Sequence, residues 1–222
     1  MQTRPPAAPD APHPAIPAEA TTHTWAWPLL CAVLGLSSWW AWEAGAQPAL
    51  HWQSADWTQK PWTLWTAALV HLSGAHLVAN LGALLCLAVL GRFQQAGRAA
   101  TVAVLLTWPL ATLALVAWPQ VTGYSGMSGL LCGILAVLWA HATLRPAQKG
   151  LSYVLFALLV LKLLAEEGWS HPIAFDPEWG FNVVYAAHFS GAVIGALCGL
   201  ACSVVAAGLH PQRVTQPHKE SS

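Results

Sequence analysis

The chain has 222 residues, of which 56% are hydrophobic and 8% are charged. A soluble domain carries about 25% charged residues, so this composition excludes an ordinary water-facing surface and favours a lipid environment. The formal net charge is zero and the sequence has no basic cluster, so we do not expect a nucleic acid partner.

Residues 1–23 are rich in proline and alanine, which predicts a disordered tail. Six apolar segments follow, at about 25–42, 62–90, 99–118, 126–144, 151–165 and 181–207. Lipid offers no partners for the backbone, so each segment is predicted to be a helix. The sequence therefore predicts an all-α integral membrane protein, with a six-helix membrane domain over 24–208 and a short tail over 209–222.

The basic residues predict the orientation of the six spans. Of the nine Lys and Arg residues, seven would lie on one side of the membrane: Arg4, Arg92, Arg98, Arg145, Lys149, Arg213 and Lys219. Because positive loops stay in the cytoplasm, both termini are predicted to be cytoplasmic. The acidic loop over 166–178 then faces outward.

Polar side chains interrupt three of the apolar segments. They are His71, His76 and Asn80 on the second segment, Ser125 and Ser128 at the start of the fourth, and His188 on the sixth. The predicted topology puts all of them at a similar depth in the outward half of the membrane. Such groups are costly in a bilayer and usually functional, so their convergence predicts a site.

The chemistry of this set favours hydrolysis by a serine. Ser128 needs a base within hydrogen-bond reach, and His188 is the candidate. The start of the fourth helix, together with Asn80 and His76, can supply donors for an oxyanion. Because no Asp or Glu lies inside the helices that carry these groups, we expect a Ser–His dyad without a carboxylate, and no metal or cofactor.

Two other interpretations remain open at this stage. A histidine cluster is also typical of a haem-binding protein or a transporter, but that interpretation leaves Gly126-Met127-Ser128-Gly129 unexplained. The glycines spaced by four after Ser128 and His188 are typical of closely packed membrane helices. The five cysteines all lie in apolar segments without metal-site spacing, which indicates buried structural residues.

The ordered motifs resemble the rhomboid family of intramembrane serine proteases. The matching pieces are His71-x4-His76-x3-Asn80, Gly126-Met127-Ser128-Gly129-x3-Gly133 and Ala187-His188-x2-Gly191-x3-Gly195. The resemblance implies a six-helix rhomboid-like bundle, with Ser128 as nucleophile and His188 as general base. It also implies an oxyanion hole of His76, Asn80 and the Ser128 N–H, with His71, Gly126, Gly129 and Gly191 in support.

A narrower resemblance is to the rhombosortases, which process GlyGly-type C-terminal sorting helices. Its pieces include Trp65-Thr66-x4-His71-Leu72 and Lys162-Leu163-x2-Glu166, while Cys132 departs from the His of many relatives. The resemblance implies cleavage of membrane-anchored proteins near the outer face of a bacterial inner membrane. The alternative is a catalytically inactive rhomboid-like protein that binds client helices.

Two local ambiguities concern single residues. Ser125 also lies in a Gly-x-Ser-Gly pattern, but Gly133 follows Ser128 at the distance typical of the family, so Ser128 is preferred. Lys162 and Glu166 are four residues apart near the outer end of the fifth segment, which favours a simple ion pair over a substrate-contacting element.

Overall fold

The computed structural model describes residues 25–209, so the predicted tails lie outside the described residues except for Leu209, and the domain bounds stay a prediction. The helices are α1 (Ala26–Glu43), α2 (Gln47–Leu50), α3 (Thr63–Thr66), α4 (Gly74–Phe93), α5 (Arg98–Leu113), α6 (Ser128–Thr143), α7 (Lys149–Glu166) and α8 (Tyr185–Leu209). Short 3₁₀ turns cover Ala67–Leu69, Ala114–Ala117 and Pro146–Gln148. The strands are β1 (Trp52–Gln53), β2 (Gly123–Tyr124), β3 (Ala174–Asp176) and β4 (Phe181–Val183).

A helix of 16 to 25 residues occupies the main part of each of the six predicted apolar segments. Within residues 25–209, four helical stretches are long and apolar enough to cross a membrane, namely Gly74–Phe93, Arg98–Ala117, Pro146–Glu166 and Tyr185–Gly208. Helix α6 is apolar but has only 16 residues, fewer than the roughly 20 that span a bilayer. The chain is thus a mostly helical, multi-pass membrane protein, and the count of six spans stays a prediction.

Helix α6 forms the centre of the bundle. Twelve of its 16 residues are buried, and it packs against α4, α5, α7 and α8. Its contact with α8 is a backbone contact, because a Cβ atom added to Gly191 would overlap the carbonyl oxygen of Gly129. One turn further along, a Cβ atom on Gly195 would overlap the carbonyl oxygen of Gly133. The small-residue pattern therefore does set a close helix crossing.

The second apolar segment is not one continuous helix. Val70 and Ser73 have extended backbone conformations, and the Ser73 hydroxyl accepts a hydrogen bond from the His76 N–H at 3.1 Å. A serine that caps a helix in this way satisfies an N–H group that would otherwise lack a partner. Helix α4 therefore starts afresh at Gly74, which places His76 and Asn80 in its first two turns.

The start of the sixth apolar segment is a strand. Residues 181–183 form β4, which pairs antiparallel with β3, and α8 begins at Tyr185. Asp176 Oδ1 accepts hydrogen bonds from the N–H groups of Glu178 and Trp179, and Gly180 has a φ of +74°, a combination that makes a tight turn. The resulting β3–β4 hairpin contributes to the cavity described below.

Replacing Gly191 by alanine should force α6 and α8 apart. We expect a loss of about 1–3 kcal/mol of stability from overpacking, measured as thermal unfolding in detergent. Gly82 on α4 is the matched control, because no atom in the described part of the chain lies within 4 Å of a Cβ atom added there. Gly82→Ala should be neutral or stabilising by up to about 1 kcal/mol, and equal effects of the two changes would contradict the close crossing.

Candidate active site

A cavity of about 550 Å³ lies where one end of the bundle brings several helix ends together. Ser128 is the first residue of α6, His76 is the third of α4 and His188 is the fourth of α8, and all three line the cavity. Asn80 lines it one turn beyond His76. The structure therefore brings together the four residues that the sequence singles out for catalysis.

A short irregular loop before α6 positions Ser128 in the cavity. Gly126 has a φ of +127°, which few residues other than glycine adopt, and its N–H donates to the Ala67 carbonyl at 3.0 Å. The Tyr124 hydroxyl donates to the Gly126 carbonyl oxygen at 2.5 Å. These contacts hold the chain so that α6 begins at Ser128, where the first N–H groups of the helix have no acceptor within it.

Ser128 and His188 are in direct contact. The Ser128 hydroxyl oxygen lies 2.8 Å from His188 Nε2. Gly129 and Gly191 make this possible, since their backbones touch and bring the first turns of α6 and α8 together. The His188 side chain is 6% exposed, so the imidazole is largely shielded from water.

A carboxylate lies on the other side of His188. Glu166 Oε2 is 2.8 Å from His188 Nδ1, and Glu166 Oε1 is 2.5 Å from Lys162 Nζ. The sequence prediction of an ion pair between Lys162 and Glu166 is confirmed, but the expectation of a site without a carboxylate is wrong. Glu166 ends α7 and so belongs to none of the helices that carry the serine, histidines and asparagine. The predicted position of Glu166 near the outer end of the fifth segment, on the same side of the membrane as His188, was the available signal.

Helix α4 presents unpaired polar groups to the same space. The Asn80 Nδ2 and His76 Nδ1 atoms are buried without a hydrogen-bond partner among the described residues. His71 lies behind them: it is buried outside the cavity lining, its Nδ1 donates to the Leu69 carbonyl at 3.1 Å, and its ring packs edge-on against His76. Asn80 thus lines the same cavity as Ser128 and has an unpaired donor, while His71 supports the His76 ring.

A second serine and histidine meet at the rim of the cavity. Ser125 Oγ lies 2.5 Å from His51 Nδ1, because β1 pairs with β2 and places residue 51 beside the loop before α6. Partial burial lowers the pKa of His51, although the Asp56 carboxylate acts in the opposite direction. Sequence reasoning missed His51, since nothing along the chain links it to Ser125, 74 residues away.

The comparison with protein families is decisive. The family described as Rhomboid domain matches residues 58–204, well over half of the chain. The chain belongs to the rhomboid family. No curated protein matches it. Rhomboids are generally serine proteases that act on membrane proteins within the bilayer, and some members are inactive. The matched region includes α4 to α7 and most of α8, and with them every rhomboid motif residue described above.

Replacing Tyr124 by phenylalanine should loosen the loop that precedes α6. The change removes one buried hydrogen bond and leaves the Gly126 carbonyl unpaired, which we expect to lower stability by about 1–3 kcal/mol. The measurement is thermal unfolding in detergent. Tyr153, which is exposed on α7, provides the control Tyr153→Phe, and equal stability of the two variants would contradict the role of the Tyr124 hydroxyl.

Proposed function

We propose that this rhomboid is an active intramembrane serine endopeptidase, with Ser128 as the nucleophile and His188 as its general base. The observation that carries the proposal is the 2.8 Å contact between Ser128 Oγ and His188 Nε2 inside the cavity. In the proposed reaction, the serine oxygen bonds to the scissile carbonyl carbon as its proton passes to Nε2. His188 then returns that proton to the leaving amine as the C–N bond breaks, and water resolves the acyl-enzyme.

The oxyanion of this reaction would form against the start of α6. The Ser128 N–H lies in the first turn of α6, so it has no acceptor within the helix. It lies at the positive end of the helix dipole. The unpartnered Asn80 Nδ2 is a second donor, and the His76 ring is a third. Preorganised donors of this kind stabilise negative charge most effectively where water is excluded.

Ser128 is a better nucleophile candidate than Ser125, although each lies beside a histidine. Ser128 shares the cavity with the unpartnered Asn80 donor at the start of a long helix. Ser125 precedes the helix, and its partner His51 fixes the β1–β2 region against the loop. We therefore assign the His51–Ser125 contact to loop positioning.

The lining of the cavity favours a membrane-anchored segment as the substrate. Beyond the polar groups the cavity continues over apolar residues of α4 and α6, along Ala83, Leu87 and Leu135. An extended chain can lie there only after its helix unwinds, because helical carbonyls are already hydrogen-bonded, and glycine lowers the free energy of unwinding. We infer a GlyGly-type C-terminal sorting helix as the substrate, as in a rhombosortase, and not a general membrane client.

The distribution of charge supports a definite placement in the cell. We propose a bacterial inner membrane with both termini in the cytoplasm and the cavity in the outward half. The turns at the end opposite the cavity carry Arg92, Arg98, Arg145 and Lys149, whereas the residues after α7 at the cavity end include Glu167, Asp176 and Glu178. This asymmetry follows the positive-inside rule.

Ser128→Ala should abolish both cleavage and labelling by a fluorophosphonate, because that reagent bonds only to an activated serine oxygen. Ser125→Ala is the matched control and should retain both activities. The measurements are in-gel labelling of the purified protein and cleavage of a peptide with a Gly-Gly segment, an apolar helix and a basic tail. A folded wild-type protein that does neither would instead support an inactive rhomboid that binds client helices, and loss in Ser125→Ala alone would reverse the assignment.

Asn80→Ala should lower the turnover of the peptide by roughly 10²–10³-fold, the usual effect of removing one oxyanion donor. The Michaelis constant should change much less, since the donor acts on charge that develops after binding. Gln94→Ala is a control at the opposite end of the bundle, where the Gln94 side chain is also buried without a partner within residues 25–209. An unchanged turnover in Asn80→Ala would remove Asn80 from the oxyanion hole.

A further inference from the structure

The two carboxylate oxygens of Glu166 contact different partners, His188 and Lys162. Oε2 faces His188 Nδ1 at 2.8 Å and Oε1 faces Lys162 Nζ at 2.5 Å, while His188 Nε2 faces Ser128 at 2.8 Å. The result is an unbroken line of contacts from Lys162 to the serine hydroxyl. It crosses three helices, α7, α8 and α6.

This line fixes the proton positions on the His188 ring. An ionised carboxylate accepts hydrogen bonds and donates none, so Nδ1 must carry the proton that points at Glu166. Nε2 is then left with a lone pair directed at the Ser128 hydroxyl, which is the tautomer that a general base requires. Lys162 favours the ionised form of Glu166, because an adjacent positive charge stabilises a carboxylate.

The surrounding helices make a counter-charge important. The N-terminal ends of α4, α6 and α8 all converge on the cavity, and these positive dipole ends favour an oxyanion but oppose a cation on His188. When His188 takes the serine proton, it becomes a buried cation, and burial of an unpaired charge is strongly unfavourable. Glu166 is the last residue of α7, so a carboxylate and the negative end of that helix both lie where the cation forms.

We propose that Glu166 is a positioning residue for catalysis, so that this rhomboid works with a Ser128–His188–Glu166 triad in place of a dyad. The proposal rests on the protease function proposed above. Glu166 orients the imidazole and stabilises the imidazolium, and it neither gains nor loses a proton during the reaction. Lys162 holds the carboxylate ionised and directs its second oxygen away from His188.

Other titratable groups face this line of contacts from the helices and the strand packed around it. None of these groups is changed in the proposed variants. They are Cys132 on α6, Asp176 on β3, Tyr185 on α8 and His76 on α4. Glu167, the next residue after Glu166, points elsewhere: its side chain is 54% exposed and pairs with His171 at 3.3 Å. Glu167→Gln therefore removes the same charge one residue away and leaves the His188 contact intact.

The decisive variant is Glu166→Gln, which keeps the shape of the side chain but cannot hold the charge. Relative to Glu167→Gln, we expect turnover of the Gly-Gly peptide and the rate of fluorophosphonate labelling to fall by roughly 10²–10⁴-fold, with little change in the Michaelis constant. A general loss of packing would instead weaken substrate binding as well, and so raise the Michaelis constant.

The possible outcomes separate the two proposals. If the wild-type protein is labelled at Ser128, and Glu166→Gln is labelled at the rate of Glu167→Gln with the same peptide turnover, the triad is wrong and the protease stands. A wild-type protein without label or cleavage overturns the protease itself.

A measurement on the unaltered protein covers the case in which Glu166→Gln does not fold. In a sample with ¹⁵N-labelled histidine, NMR should report His188 with a proton on Nδ1 and none on Nε2, with His188→Gln used to assign the signal. A proton on Nε2 would overturn the proposal.

Discussion

The backbone contact between α6 and α8 is the constraint on which the site depends. Lipid provides no hydrophobic force to press two helices together, so close packing must come from dispersion between surfaces that fit. Gly129 and Gly133 on one helix and Gly191 and Gly195 on the other leave no side chain between the two backbones. A serine and a histidine that are 60 residues apart in sequence therefore meet within hydrogen-bond distance. Any side chain at this crossing would widen the gap along the whole first turn.

The direction of the helices determines the electrostatics around that contact. Three helices present their N-terminal ends to the cavity and α7 presents its C-terminal end, so positive and negative dipole ends lie side by side. The positive ends suit the charge expected on a substrate oxygen, and the negative end with Glu166 suits the charge expected on His188. The bundle thus separates two opposite charges within one small volume without requiring water to screen them.

Most of the fold and much of the site follow from the sequence, for a physical reason. Apolar length predicts helices in lipid, and the polar residues His76, Asn80, Ser128 and His188 stand out because lipid makes them costly. The features that the sequence does not predict depend on where individual helices begin and end. Residues 70–73 interrupt the helix within a segment that is mainly apolar on both sides. Glu166 reaches His188 because α7 ends where it does, with Glu167 at a φ of +47°. The sequence predicts which end of the fifth segment carries Glu166, but not that its carboxylate meets His188.

The gathering of all the reactive groups at one end of the bundle has a consequence for divergence among related proteins. The opposite end is tied together independently, by the Gln94 carbonyl oxygen, which accepts from Arg145 at 2.6 Å and lies 3.3 Å from His141 Nε2. Changes in the turns around residues 94–97 and 144–148 alter how firmly the helices are anchored, but they leave the chemistry untouched. The reactive groups lie in the first turns of α4, α6 and α8, so a change at the far end can reach them only through the packing of whole helices.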